Sequence, residues 1–255
     1  MRLLTLARDL RRRRAREREG YFVVEGVRAN EELLRSQLEI VGVLTAPQLD
    51  GTERGRQLRA ALAQRRVDHS EVTEREFASA AETESPQGVL AVVRAPARGL
   101  GDLEGRTQLR LVVLDAVQDP GNVGTIIRTA AALGASGTIA LPGTVDVWNA
   151  KVVRSAMGAH FHHLCFHTTW DELQSFLSKE GCELWGSARE GEGIPLSVPP
   201  PQKLALAVGN EGSGMTPALR EAARRMVSIP MDGMVDSLNV AVATGILLFA
   251  FSEKR

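Results

Sequence analysis

From residue 109 onward the chain alternates short apolar runs with longer amphipathic ones, and that alternation constrains the fold more than any other feature. Segments 109–114, 138–141, 163–166, 183–187, 204–208 and 227–229 read as strands, and 123–133, 147–157, 170–180, 217–225 and 238–252 read as helices between them. Strands that are apolar on both faces must be covered on both faces, and a helix after each strand supplies that cover. The predicted class is therefore α/β with a parallel sheet. In such a sheet the loops that follow the strands open at one edge, where ligands bind.

A second, smaller α/β pattern precedes it. Residues 21–24, 40–44 and 88–93 read as strands, with helices at 27–36, 54–66 and 74–80 and a short segment near Val67. The stretch Ala95-Pro-Ala-Arg-Gly-Leu-Gly-Asp-Leu-Glu-Gly105 is rich in Pro and Gly and reads as a linker. The expected organisation is a basic arm at 1–20, a small domain at 21–95, a linker at 96–108 and a larger domain at 109–255. A chain of 255 residues has material for both cores.

A net charge of zero conceals an asymmetry. Residues 1–20 hold eight Arg against Asp9, Glu17 and Glu19, a balance of +5, which leaves −5 on the remainder. Such a start suits a polyanionic partner or, equally, a solvated helix supported by an Arg13–Glu17 pair. Arg11-Arg-Arg-Arg14 has no apolar stretch behind it, so no secretory signal is expected. The longest apolar run, 240–251, falls short of the roughly 20 residues that span a bilayer. Two cysteines, Cys165 and Cys182, build neither a disulfide framework nor a four-ligand zinc site, and read as buried thiols in a cytoplasmic protein. His160, His162, His163 and His167 alternate along a strand-like stretch without acidic neighbours, so no metal is expected. Trp148, Trp170 and Trp185 read as packing residues, while Lys151 and Arg154 suit either RNA phosphates or a solvated helix face.

Three segments at predicted strand ends carry the chemistry. The first, Asp119-Pro-Gly-Asn-Val-Gly-Thr-Ile-Ile-Arg128, places Asn122 to cap the helix that Val123 begins and Arg128 about one and a half turns further on. The second, Gly209-Asn-Glu-Gly-Ser-Gly-Met215, packs three glycines into six residues, which permits close approach of backbone to a ligand. The third, Asp236-Ser-Leu-Asn-Val-Ala-Val-Ala-Thr-Gly245, enters an apolar helix with Ser237 as the expected N-cap and Asn239 as a polar residue near its start. No Gly-Lys-Ser/Thr P-loop and no G-x-G-x-x-G fingerprint occurs, which disfavours ordinary nucleotide-binding folds.

In order and spacing these segments resemble the three signature motifs of the SpoU (TrmH) family of RNA 2′-O-ribose methyltransferases, within the SPOUT superfamily. The likeness covers about 109–252 and includes Trp148-Asn-Ala-Lys-Val-Val-Arg-Ser-Ala-Met-Gly158, which looks like the helix between motifs one and two. Phe22-Val-Val-Glu-Gly26 and Ser85-Pro-Gln-Gly-Val-Leu-Ala91 resemble the L30e-like RNA-binding domain often attached to these enzymes. The resemblance implies a SPOUT domain ending in a deep trefoil knot, with S-adenosylmethionine bound at Gly209, Ile229 and Leu238. Leu141, Ser187, Ala188, Asn210 and Gly214 are the implied neighbours of that cofactor. It also implies that Arg128 stands beside the target hydroxyl, with Asn122, Glu211, Ser237 and Asn239 holding Arg128 and the ribose. The implied assembly is a homodimer with active sites drawn from both subunits. The extra front domain favours ribosomal over transfer RNA. A transfer-RNA 2′-O-methyltransferase, an enzyme acting on a base nitrogen and a non-catalytic RNA-binding protein are the alternatives.

Overall fold

The computed structural model describes residues 3–65, 67–193, 200–232 and 237–251. Asp236, with which the third segment begins, lies outside the described residues, as do Arg66 and Ser252 at the ends of two expected helices. The chain forms two compact units, Met1–Ala97 with Trp148–His162, and Arg98–Val147 with His163–Arg255.

The first unit opens with helices α1 (Leu3–Asp9) and α2 (Arg13–Glu19), followed by β1 (Tyr21–Glu25), α3 (Val27–Arg35), β2 (Ile40–Thr45), α4 (Glu53–Gln64), β3 (His69–Glu71), α5 (Glu74–Ala80) and β4 (Val89–Arg94). Its sheet has the order β1-β4-β2-β3, antiparallel except for the β2–β3 pair. Helix starts are written in the sequence. Thr52 caps α4 by accepting from the Gly55 amide, and Thr73 with Glu76 closes a capping box on α5.

The expected basic arm is not a free segment. Leu6 and Ala7 of its first helix and Leu10 just after it are buried with Phe77 and Ala80 of α5, and Arg16 is itself buried, donating to the carbonyls of Leu10 and Arg11. Apolar side chains at helical spacing were obscured by the arginines between them.

The second unit begins with a short 3₁₀ turn, Leu100–Leu103, then β5 (Leu109–Asp115), α6 (Pro120–Ala132) and β6 (Gly137–Ala140). Leu103 is fully buried in this unit's core, so the expected linker is in part a packed segment. The chain then contributes α7 (Ala150–Ser155) to the first unit, where Val153 and Phe161 enter the core and Trp148 packs against the Phe22 ring at 4.4 Å. Back in the second unit follow β7 (Cys165–His167), α8 (Trp170–Glu180), β8 (Glu183–Gly193), β9 (Lys203–Gly209), α9 (Pro217–Ala222), β10 (Arg225–Ser228) and α10 (Val240–Phe251).

Six parallel strands in the order β10-β8-β9-β5-β6-β7 form the sheet of this unit, as the apolar runs predict. The longest pairing, β5 with β9, runs from Leu109↔Lys203 to Asp115↔Gly209, so two of the three segments leave the sheet side by side. Among the described residues no helix is long and apolar enough to cross a membrane.

Candidate functional site

The C-terminal ends of β5, β9, β8 and β10 share one edge because all four strands run the same way. At that edge the chain turns through Ala116, between β5 and the first segment, and this residue holds a left-handed φ of 57°. Asp119, not Asn122, caps α6: its carboxylate accepts from the Asn122 amide at 2.8 Å, and Pro120 sits at the start of the helix. Proline at that position lacks only an amide that would have no helical partner. With Asp119 as the cap, the Asn122 side chain is freed from capping.

That side chain instead ties the three segments together. Asn122 Nδ2 donates to Glu211 Oε1 at 2.8 Å, and Asn122 Oδ1 accepts from Asn239 Nδ2 at 2.9 Å. The arrangement fixes the orientation of the amide, since a flip would set oxygen against carboxylate and nitrogen against nitrogen. Asn239 also performs the capping expected of Ser237. Its Oδ1 accepts from the amides of Ala241 at 2.9 Å and Val242 at 3.3 Å, and α10 starts at Val240 rather than at the serine.

The second segment is a tight loop closed by reciprocal backbone bonds between Asn210 and Gly214. A Cβ on Gly209 would fall 2.3 Å from Gly214 C and Met215 N, so only glycine lets the loop fold back this closely. Asn210 is a strut: Oδ1 accepts from the amides of Gly212 and Ser213, and Nδ2 donates to the Ala116 carbonyl at 3.0 Å.

A cavity of about 440 Å³ opens here, within the range of small-molecule sites. Gly209, Ile229, Leu238, Ser187, Ala188, Asn210 and Gly214 all line it, as do Glu211, Ser237 and Asn239. Leu141 does not. It lies just beyond β6, separated from β9 by β5, and its side chain is buried in the core with Ile139 and Phe166. Arg128 is exposed on α6 and makes no hydrogen bond or ion pair among the described residues. Thus the structure joins Asn122, Glu211 and Asn239 by hydrogen bonds, sets Ser237 on the same cavity wall, and leaves Arg128 unengaged.

Arg189 lines the cavity too, although β8 was expected to end two residues before it. The polar run Arg189-Glu-Gly-Glu-Gly193 hides the continuation of the strand. Elsewhere, Arg154 forms an ion pair at 3.1 Å with Glu25, which is 3% exposed, so it is held by protein rather than offered to RNA. His160 packs on Trp148 within the first unit, while His163 bonds Thr138 Oγ1 at 2.9 Å within the second. Among the described residues no cluster of three or more His, Cys, Asp or Glu could hold a metal ion. Both thiols are buried, and desolvation pushes each up to about 12.

Family models match along most of the chain: the SpoU rRNA Methylase family over residues 110–249 and the MRM3-like substrate binding domain over 5–91. The 23S rRNA (guanosine(2553)-2′-O)-methyltransferase RlmP of Bacillus subtilis (strain 168) is 34% identical over 95% of this chain and 92% of its own length. The 23S rRNA (guanosine-2′-O-)-methyltransferase RlmB of Shewanella oneidensis is 36% identical over 69% of this chain and 74% of its own. Among solved structures, the SpoU methyltransferase AviRb from Streptomyces viridochromogenes in complex with AdoMet aligns with a TM-score of 0.87 at 29% identity, covering 99% of this chain and 97% of that one. A family model spanning more than half of the chain, together with a relative above 30% identity along nearly its whole length, means that the protein belongs to the SpoU rRNA methylase family.

Proposed function

We propose that this protein methylates a ribose 2′-hydroxyl in 23S ribosomal RNA, with Arg128 and Asn122 at the centre of the reaction. As a SpoU family member it is an S-adenosylmethionine-dependent RNA ribose 2′-O-methyltransferase. The donor, when bound, brings a methyl group already activated by its sulfonium. The chain must do the rest: align the hydroxyl with that methyl and help the hydroxyl lose its proton. A guanidinium stays protonated, so Arg128 orients the hydroxyl and stabilises the negative charge that develops on it rather than acting as a base. Asn122, Glu211, Ser237 and Asn239 hold the ribose in register with Arg128.

Support for this reading comes above all from one observation, the Asn122 amide bonded to both other segments. Apolar walls at Val208, Ile229, Leu238 and Val240, with backbone groups of Gly209, Asn210 and Gly214, suit the adenosyl part of the cofactor. Ser187 and Ala188 complete its site on the β8 side. Ribosomal RNA is favoured over transfer RNA because both relatives above are named for 23S rRNA and because a substrate-binding unit precedes the catalytic one. The reading includes a trefoil knot at this edge, supported by the insertion of β9 between β8 and β5 and by the packing of α10 on α6. It also includes a homodimer in the cytoplasm. The exposed face of α10 supports the dimer, with Val242, Ile246 and Phe249 exposed by 52%, 38% and 72%. Thr125 and Thr129 of α6 border the same face.

Arg128→Ala tests the assignment. Methyl transfer to 23S rRNA should fall to background while calorimetric binding of S-adenosylmethionine is retained. Turnover that survives this substitution overturns the role given to Arg128.

A further inference from the structure

Five residues of β8 do no work in the sheet. Trp185 pairs with Arg225 and Gly186 with Met226, yet the next partners are Glu192 with Val227 and Gly193 with Ser228. Residues 187–191 therefore have no partner on β10, and the pairing with β9 on the other side ends at Gly186. The strand leaves the sheet at the ligand edge and returns to it, a bulge of the kind that re-aims side chains beside active sites. Its return point is pinned. A Cβ on Gly191 would lie 2.6 Å from Val227 C, and Ser228 Oγ donates to the Gly191 carbonyl at 2.8 Å. Held in this way, the bulge presents Ser187, Ala188 and Arg189 to the cavity.

Among the described residues that line the cavity, only Arg189 and Glu211 are charged, and Glu211 accepts from Asn122. The remaining walls are apolar, amide, hydroxyl or backbone groups. S-adenosylmethionine ends in an amino acid, whose carboxylate needs a cation or several donors when it leaves water. We infer that Arg189 receives the methionine carboxylate of the methyl donor. This rests on the reading of the cavity as the S-adenosylmethionine site and deepens it by naming the residue that selects for the amino-acid end.

Two nucleosides test the inference by calorimetry on the full chain. S-adenosylhomocysteine keeps the carboxylate, and 5′-methylthioadenosine lacks the whole amino-acid end. Arg189→Ala should weaken S-adenosylhomocysteine about ten-fold, the low end expected of a charge-assisted contact at an exposed group. Binding of 5′-methylthioadenosine should stay the same, and Arg189→Lys should recover part of the loss. An unchanged thermal midpoint without ligand shows that the bulge still folds. Equal weakening of both nucleosides would mean that Arg189 only shapes the bulge, and overturns the inference. So does unchanged S-adenosylhomocysteine binding with a raised KM for RNA, which would assign Arg189 to the substrate. A wild-type chain that binds neither nucleoside overturns the cavity assignment itself, a different failure from the other two.

Discussion

Ala116 is the residue where the geometry of the site costs most visibly. Its φ of 57° puts a side chain in the left-handed region, at about 1–2 kcal/mol for a non-glycine residue. The position is over-determined: its carbonyl accepts from Asn210 Nδ2 and so holds the second segment to the turn that leads into the first. Ala116→Gly removes the strain and returns part of the gain through the greater freedom of glycine when unfolded. A net stabilisation of about 0.5–1 kcal/mol is expected, a rise in Tm of about 1–4 °C for a chain of this size. Urea titration of both forms checks it, and a lower midpoint for the glycine variant would show that Ala116 is not strained. At this scale the sequence was a partial guide. Asn122, Glu211 and Asn239 were legible as polar residues at strand and helix ends. Their roles were not, because capping depends on which side chain reaches an amide. Asp119 took the cap expected of Asn122, and Asn239 the cap expected of Ser237.

Elements with strong local chemistry were read correctly, and those shaped by partners were not. Helix α8 carries its own start in the Thr169–Glu172 capping box and its own stop at Gly181, so its bounds agree with the expectation. Helix α7 was expected over 147–157 and spans Ala150–Ser155, because Asn149 caps it. Strand β8 was expected to end at Ser187 and runs to Gly193, since β10 offers an edge on which a polar stretch can pair again. Two predictions belong to elements. His163, just before β7, is buried against Thr138, and desolvation, with a smaller contribution from the Arg98 guanidinium, lowers it to about 4. The unfolded chain binds the proton near 6.5, so between pH 6.5 and 4 it holds more protons than the folded one and stability falls as pH falls. The loss should be complete near the lower limit and reach at most about 3 kcal/mol. Urea midpoints at pH 7 and pH 5 for the parent and His163→Gln read it out, and parallel pH profiles would refute the assignment. On α10, the exposed apolar face is assigned to a second copy of the chain. Phe249→Glu should convert a dimer into a monomer by light scattering, and a wild-type chain that is already monomeric removes that assignment.

At the scale of the whole molecule, the boundary between the two units does not follow the boundary between the two matched families. The SpoU match spans 110–249 without interruption, yet Trp148–His162 inside it belongs to the first unit. Sequence order hid this, because the apolar side chains of α7 pack as well against a remote sheet as against a neighbouring one. Val153 and Phe161 are buried in the first unit's core, and Arg154 is paired with the buried carboxylate of Glu25. Glu25 keeps two other partners, the Glu82 amide and the Thr83 hydroxyl, but would lose its counter-charge Arg154 if the chain ended at Ala97. Breaking a buried ion pair by removing one partner costs about 3–5 kcal/mol, a large share of the about 5–15 kcal/mol that holds a domain together. Loss of the apolar contacts of Val153 and Phe161 adds to it. A fragment of residues 1–97 should therefore melt broadly or not fold alone, although one family model places a domain within it. Extending it through a short linker to 148–162 should restore a single cooperative transition in urea. A sharp, two-state unfolding curve for 1–97 by itself would show that the returning segment decorates the first unit rather than completing it.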